Sequence, residues 1–176
     1  PFTFPARLED NGAHALGEHP GDSINVKYNE SIFVGYRWAD KQKKTKPLFA
    51  FGHGLSYTTF AYGKATATKK SLTADETITF TVLVKNTGSR EGSEVVQLYI
   101  GDKKSALPRP IKELKGFSKV KLAPGEEKMV SFTIDKTDLS YYDDTQNRWV
   151  AEPGAFEAFV GASSADIRST VSFELK

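Results

Sequence analysis

His14, Glu18 and His19 lie within six residues of one another, a grouping that invites a metal. Zinc-protease helices carry two histidines four apart with a glutamate between them, so that both imidazoles face one side. Here the histidines are five apart, in a stretch broken by Gly17 and Pro20, and they read as surface-loop residues. Sugar hydrolysis needs two carboxyl groups about 5 to 9.5 Å apart on either side of the bond. Asp143/Asp144 and Glu126/Glu127 are the paired candidates. Neighbours on a strand point to opposite faces, and both pairs adjoin turn signals where charged pairs are solvated. Glu30 sits among Tyr28, Tyr36 and Trp38, where burial could raise its pKa; a paired or hydrogen-bonded structural role is the stronger reading.

Two basic stretches could meet an anion: Arg37 to Lys46, with Lys41, Lys43 and Lys44, and Lys103 to Lys121, with Arg109, Lys112, Lys115 and Lys119. The formal net charge is only +2, and Pro108 and Pro110 describe a loop rather than a stacking surface, so solvated loops are expected and no nucleic-acid partner. The chain has no cysteine, which removes disulfides and thiolate metal sites. It also has no apolar run of the roughly 20 residues that a membrane helix needs. GxSxG, P-loop and GxGxxG motifs are missing, and nothing helical is expected after the "GHGLSY" of residues 52–57, so it is no phosphate loop.

The elements that must position these groups fall into two textures. From Ser71 onward the pattern has period two. In Thr77–Lys85, Ile78, Phe80, Val82 and Val84 alternate with threonines and Leu83, and the turn Asn86-Thr87-Gly88 follows. Further strands are expected at Glu94–Ile100, Lys112–Val120, Lys128–Ile134, Leu139–Tyr142 with Arg148–Val150, Phe156–Val160 and Thr170–Leu175. Leu122-Ala-Pro-Gly125 and Glu152-Pro-Gly154 are turns in which proline fixes φ and glycine permits a positive one. Seven such segments at this spacing predict an Ig-like or fibronectin III-like antiparallel sandwich over 71–176.

Residues 1 to 70 are different. They hold all three histidines, four of the eight prolines and the cluster Ile32-Phe-Val-Gly-Tyr-Arg-Trp38, which fits both a helical and an alternating pattern; a short helix is the preferred reading. So few periodic elements cannot bury so many aromatics alone, and this segment is expected to lie against another domain. The opening PFTFPARLED has neither a basic n-region nor an apolar h-region and reads as the middle of a longer chain.

"YNESIFVGYRWAD" (28–40), then "PLFAFGHGLSYTTFAY" (47–62), then the sandwich, resembles the C-terminal part of glycoside hydrolase family 3 enzymes, the β-glucosidases and β-xylosidases. "PFTFPARLED" (1–10), "NTGSREGSEVVQLYIGD" (86–102) and "RPIKELKGF" (109–117) are similar to further family segments in the same order; Ser31 and Ala50 depart from the usual glycine and proline.

The resemblance implies a mainly β fold: residues 1–46 as the C-terminal tail of an α/β sandwich domain, 47–70 as an extended aromatic and glycine linker strap, and 71–176 as the fibronectin III-like sandwich. It also implies that the nucleophile and the acid/base lie upstream, so that this chain alone carries no catalytic residue and needs no metal or organic cofactor. Its partners would be the barrel and α/β domains of a parent β-glucosidase, which takes the oligosaccharide or β-glucoside substrate; the parent would be periplasmic or secreted by family analogy. Phe49, Phe51, Leu55 and Tyr57 are expected to anchor the strap at the domain junction, with Gly52 and Gly54 bending it. The alternative is a stand-alone carbohydrate- or protein-binding sandwich, for which Tyr141, Tyr142 and Trp149 are the aromatic candidates, though core or edge packing is the expected role of all three. Whether Lys103 to Pro110 reaches the parent's active site stays open at this stage.

Overall fold

The computed structural model describes residues 2–42 and 45–176. Two sheets face each other. The first is built on β4 (Ile78–Asn86), with β7 (Glu127–Ile134) along one edge and the short strands β1 (Phe60–Tyr62) and β2 (Thr66–Ala67) along the other. The second runs β3 (Ser71–Leu72), β11 (Ile167–Leu175), β10 (Gly154–Gly161), β5 (Gly92–Asp102) and β6 (Glu113–Leu122), antiparallel except for β3 against β11. A detached hairpin pairs β8 (Tyr141–Asp143) with β9 (Arg148–Val150). This is the predicted sandwich. The alternation in β4 buries Ile78, Phe80, Val82 and Val84 against Leu98, Phe156 and Phe173 of the other sheet, and Phe80 meets Phe173 edge-on at 5.2 Å. Each such side chain contributes about 1.5–3 kcal/mol by leaving water.

Three local outcomes differ from the sequence reading. The sheet is entered at Phe60, because β1 and β2 of the 47–70 strap pair with β4; strands this short show no periodicity and exist only through their partner. Leu139 is helical: Asp135 caps a turn, Lys136–Leu139, by accepting from Thr137 N at 2.6 Å, and the strand begins at Tyr141. The expected helix over Ile32–Trp38 starts late. Gly35 takes φ +59, a left-handed conformation that breaks the preceding turn, and helix α2 runs Tyr36–Lys41, following the one-turn helix α1 (Gly12–Ala15). No helix among the described residues is long and apolar enough to cross a membrane.

β5 is buried on both faces. Val96, Leu98 and Ile100 enter the core, while Gln97 and Tyr99 on the opposite face are equally buried. The cover is the leading segment: Tyr36 of α2 stacks near Phe51 (5.1 Å) and meets Tyr99 edge-on (5.7 Å). Gly52 makes this possible, since a Cβ there would come within 2.4 Å of the Gln97 amide and its φ is +84. The leading segment and the sandwich therefore share one packed layer.

Candidate functional site: the junction between leading segment and sandwich

The junction is polar at its edge. Lys112 donates from Nζ to Asp40 Oδ2 at 2.6 Å, with the two side chains 9% and 18% exposed. Arg37 pairs with Glu113 Oε1 at 3.0 Å, and the Tyr36 hydroxyl accepts from Leu114 N at 2.9 Å. Glu113 also takes Arg109 at 2.8 Å; the nearly buried guanidinium donates on to the Leu139 carbonyl at 3.0 Å and lies over Tyr141 at 5.4 Å. Burial pushes the Asp40 carboxyl up from its ordinary value, with the bond from Lys112 opposing. Burial likewise pulls the Lys115 ammonium down. These are properties of a desolvated contact. Its function is to hold α2 in one orientation on the sheet formed by β5 and β6.

The two basic stretches are solvated only in part: Lys41, Lys46, Lys103, Lys104, Lys119 and Lys121 are exposed as expected, and Arg37, Arg109, Lys112 and Lys115 are not. Arg37, Arg109 and Lys112 are partners in this network, and Lys41 lies over Phe33 at 4.2 Å; Lys43 and Lys44 fall outside the described residues. Sequence reasoning passed over Tyr36, Arg37, Asp40, Arg109 and Lys112 as functional residues. The available signal was their position: each stands inside a stretch that carried the family resemblance, 28–40 or 109–117.

The sequence candidates for chemistry are scattered, and several are occupied. His14 and His19 do meet, with ring centroids 4.8 Å apart, but the nearby Glu18 carboxylate is buried and accepts from Asn29 N at 2.9 and 3.1 Å. No group of three or more metal-ligating side chains occurs among the described residues. Asp143 is buried at the end of β8, where hydrogen bonds from Thr145, then Gln146, hold its carboxyl below the usual range; its neighbour Asp144 is exposed. Glu126 accepts from Ala123 N, and Glu127 pairs across the sheet with Lys85. Glu30 is buried with Oε2 unpartnered.

The expected anchors of the strap are not equivalent. Phe51 is packed, but Leu55 and Tyr57 are 94% and 92% exposed, because no described residue covers them. Tyr142 and Trp149 are also exposed, not core or edge residues: their hairpin pairs with neither sheet, so its outer face has no described residue opposite. They meet edge-on at 5.7 Å. The Lys103–Pro110 loop is bound to the base of the same hairpin, with Ser105 Oγ and Ala106 N donating to Glu152.

Comparison with known proteins places this architecture. The fibronectin type III-like domain family matches residues 94–164. β-Glucosidase BoGH3A of Bacteroides ovatus is 54% identical over 176 residues, 99% of this chain and 23% of that protein. Thermostable β-glucosidase B of Acetivibrio thermocellus is 48% identical over 94% of this chain and 22% of its own length. A glycoside hydrolase family 3 β-glucosidase structure from Bifidobacterium adolescentis superposes with a TM-score of 0.89 at 35% identity, covering 99% of this chain and 25% of that one. The structure of DesR, a β-glucosidase from Streptomyces venezuelae in complex with D-glucose, gives 0.89 at 37%, covering 99% and 22%. The chain spans about a quarter or less of each of these relatives.

Proposed function

The chain belongs to the glycoside hydrolase family 3 β-glucosidases and carries their fibronectin type III-like domain, and from that premise we propose that it is the non-catalytic C-terminal scaffold of a retaining, exo-acting enzyme that removes terminal β-linked glucose. In this reading residues 1–46 are the tail of the enzyme's α/β domain, 47–70 the strap, and 71–176 the sandwich, to whose first sheet the strap lends β1 and β2. The observation that carries it is an asymmetry of exposure. Thirteen large apolar side chains in residues 2–57 are exposed, against six in the rest of the described chain. So uneven a distribution points to a partner that covers the leading residues, and they stand on the segment that the junction fixes to the sandwich. The scaffold's work is to present that surface rigidly to the barrel and α/β domains. The acidic pairs support the non-catalytic part, since Asp143, Glu126 and Glu127 are committed to turns or to a cross-strand lysine.

The test is turnover of an aryl β-glucoside. The 176-residue chain is expected to show none, and the longer reading-frame product to hydrolyse it with retention of configuration, through two carboxyl groups about 5–5.5 Å apart. Leu55→Ser with Tyr57→Ser is expected to leave the chain alone within about 0.5 kcal/mol of its original stability, and to lower the melting temperature and the yield of active longer protein. Turnover by the short chain would overturn the reading. So would indifference of the longer protein to the double substitution.

One observation favours a second reading, that the sandwich itself binds oligosaccharide: the exposed Tyr142/Trp149 pair on the hairpin. In this edge-on pair the edge of one ring meets a face of the other, so the two rings do not form one flat platform. If that reading holds, Trp149→Ala abolishes retention of the chain on a β-glucan affinity gel; equal migration of wild type and variant removes it.

A further inference from the structure

Next to the junction lies a cleft of about 270 Å³ whose apolar walls include Pro5, Val34, Trp38 and Pro47. Glu30 and Thr3 line it too. Glu30 is only 8% exposed, its Oε2 has no hydrogen-bond partner, and Thr3 Oγ1 is likewise buried and unpartnered. An unpaired buried carboxylate is strongly unfavourable, and native proteins pair such groups almost without exception. Two orphan polar atoms in one open cleft, bonded neither by Gln42 nor by Lys46 although both line it, therefore point to a donor that the described residues do not supply.

The cleft is built rather than incidental. Trp38 is fixed by a bond from its Nε1 to the Asp10 carbonyl at 3.0 Å. Gly12 stands against it, and a Cβ there would come within 3.2 Å of the indole and 3.4 Å of Glu30 Cβ. Any larger residue at position 12 would crowd the wall that positions Glu30.

We propose that this cleft receives an arginine side chain from the preceding domains of the enzyme, with Glu30 as its carboxylate partner and Thr3 accepting a further N–H; this rests on the scaffold reading above. The occupant needs a long apolar stem to lie along prolines, valine and indole, and a head with several donors. Arginine has both: its planar fork of five N–H groups matches a carboxylate in two-point contact, whereas lysine is a compact, strongly hydrated charge. Rotation about the terminal torsion of Glu30, which is soft, presents either oxygen to the incoming fork. A buried arginine pair would fix the register in which the scaffold meets those domains, a specificity that the apolar face lacks because hydrophobic contact is not directional.

The 176-residue chain can be tested directly. In a ¹H–¹⁵N NMR titration, N-acetyl-arginine amide is expected to shift the Trp38 indole N–H saturably and to leave the exposed Trp149 indole in place. Its neutral isostere, N-acetyl-citrulline amide, is expected to bind about tenfold more weakly or not at all, as is arginine amide to Glu30→Gln. Thr3→Val keeps the charge and is expected to weaken binding by a smaller factor. Methyl resonances of Val96 and Leu98 report whether each variant keeps its core. Absence of a saturable shift at Trp38, or equal binding of the citrulline compound, overturns the proposal. The outcome is separable from the scaffold reading: a silent cleft in a chain whose Leu55/Tyr57 substitutions still disrupt the longer protein removes the arginine site alone.

Discussion

Lys112→Met lowers the stability of the chain by about 3 kcal/mol at neutral pH and releases helix α2 from the sandwich. The pair it breaks, 2.6 Å from Nζ to Asp40 Oδ2, is largely out of water, so the substitution strands a buried carboxylate. The sign of the pH dependence follows from Asp40. Its folded-state pKa is raised above the ordinary value, chiefly by burial. The folded chain therefore holds the proton more tightly than the unfolded one, and stability falls as pH rises through the interval between the two values. Removing Lys112 removes the opposing bond and widens that interval. The deficit of the variant is thus largest at neutral pH and shrinks below about pH 4, where Asp40 is protonated in both states. Denaturant melts at the two pH values measure it, and limited proteolysis shows whether residues 2–42 are cut before the sandwich. Lys112→Met with Asp40→Leu is expected to recover most of the loss, because no charge is then left unpaired. If single and double variants are equally destabilised at both pH values, the junction is held by the Tyr36 packing and not by charge.

Asn86→Ala is expected to cost about 3 kcal/mol or more. The side chain is fully buried and satisfies four groups. Its Oδ1 accepts from Thr58 Oγ1 at 2.6 Å and Gly88 N at 3.0 Å, and its Nδ2 donates to the carbonyls of Arg90 at 2.7 Å and Leu122 at 3.0 Å. One residue thereby ties the strap, the β4–β5 turn and the end of β6 together. Thr58→Val removes only the first of these bonds and is expected to cost about 1 kcal/mol. Thermal or urea unfolding gives both numbers, and hydrogen exchange at Thr87 N, which donates to the Thr59 carbonyl at 2.8 Å, reports on the strap. Equal costs for the two substitutions would mean that the other three groups find new partners and that Asn86 is not the tie.

These sites show what could be read in advance. Asn86 was recognisable as a turn residue after an alternating strand, since strand and turn are both local patterns. Gly88 and Arg90 belong to that turn, but Thr58 and Leu122, 28 and 36 residues away, could not be read from it. The strands β4, β7 and β10 follow from residues two apart sharing a face. β1, β2 and β3 are two or three residues long, carry no period, and are defined only by the strands they join. Arg37, Arg109 and Lys112 were misread as solvated for the same reason. A lysine in a proline-rich loop looks solvated until the fold brings Asp40, 72 residues away, to within hydrogen-bonding distance.

The sandwich, its turns and the family resemblance were legible along the chain, because alternation, turn chemistry and motif order are properties of neighbours in sequence. Tertiary structure alone decided that β5 is covered on both faces, that Arg37, Arg109 and Lys112 are partners rather than surface charges, that Leu55, Tyr57 and Trp149 face outward, and that Glu30 is buried without a donor. Burial and pairing depend on what lies across a gap in space, and separation along the chain carries no record of it.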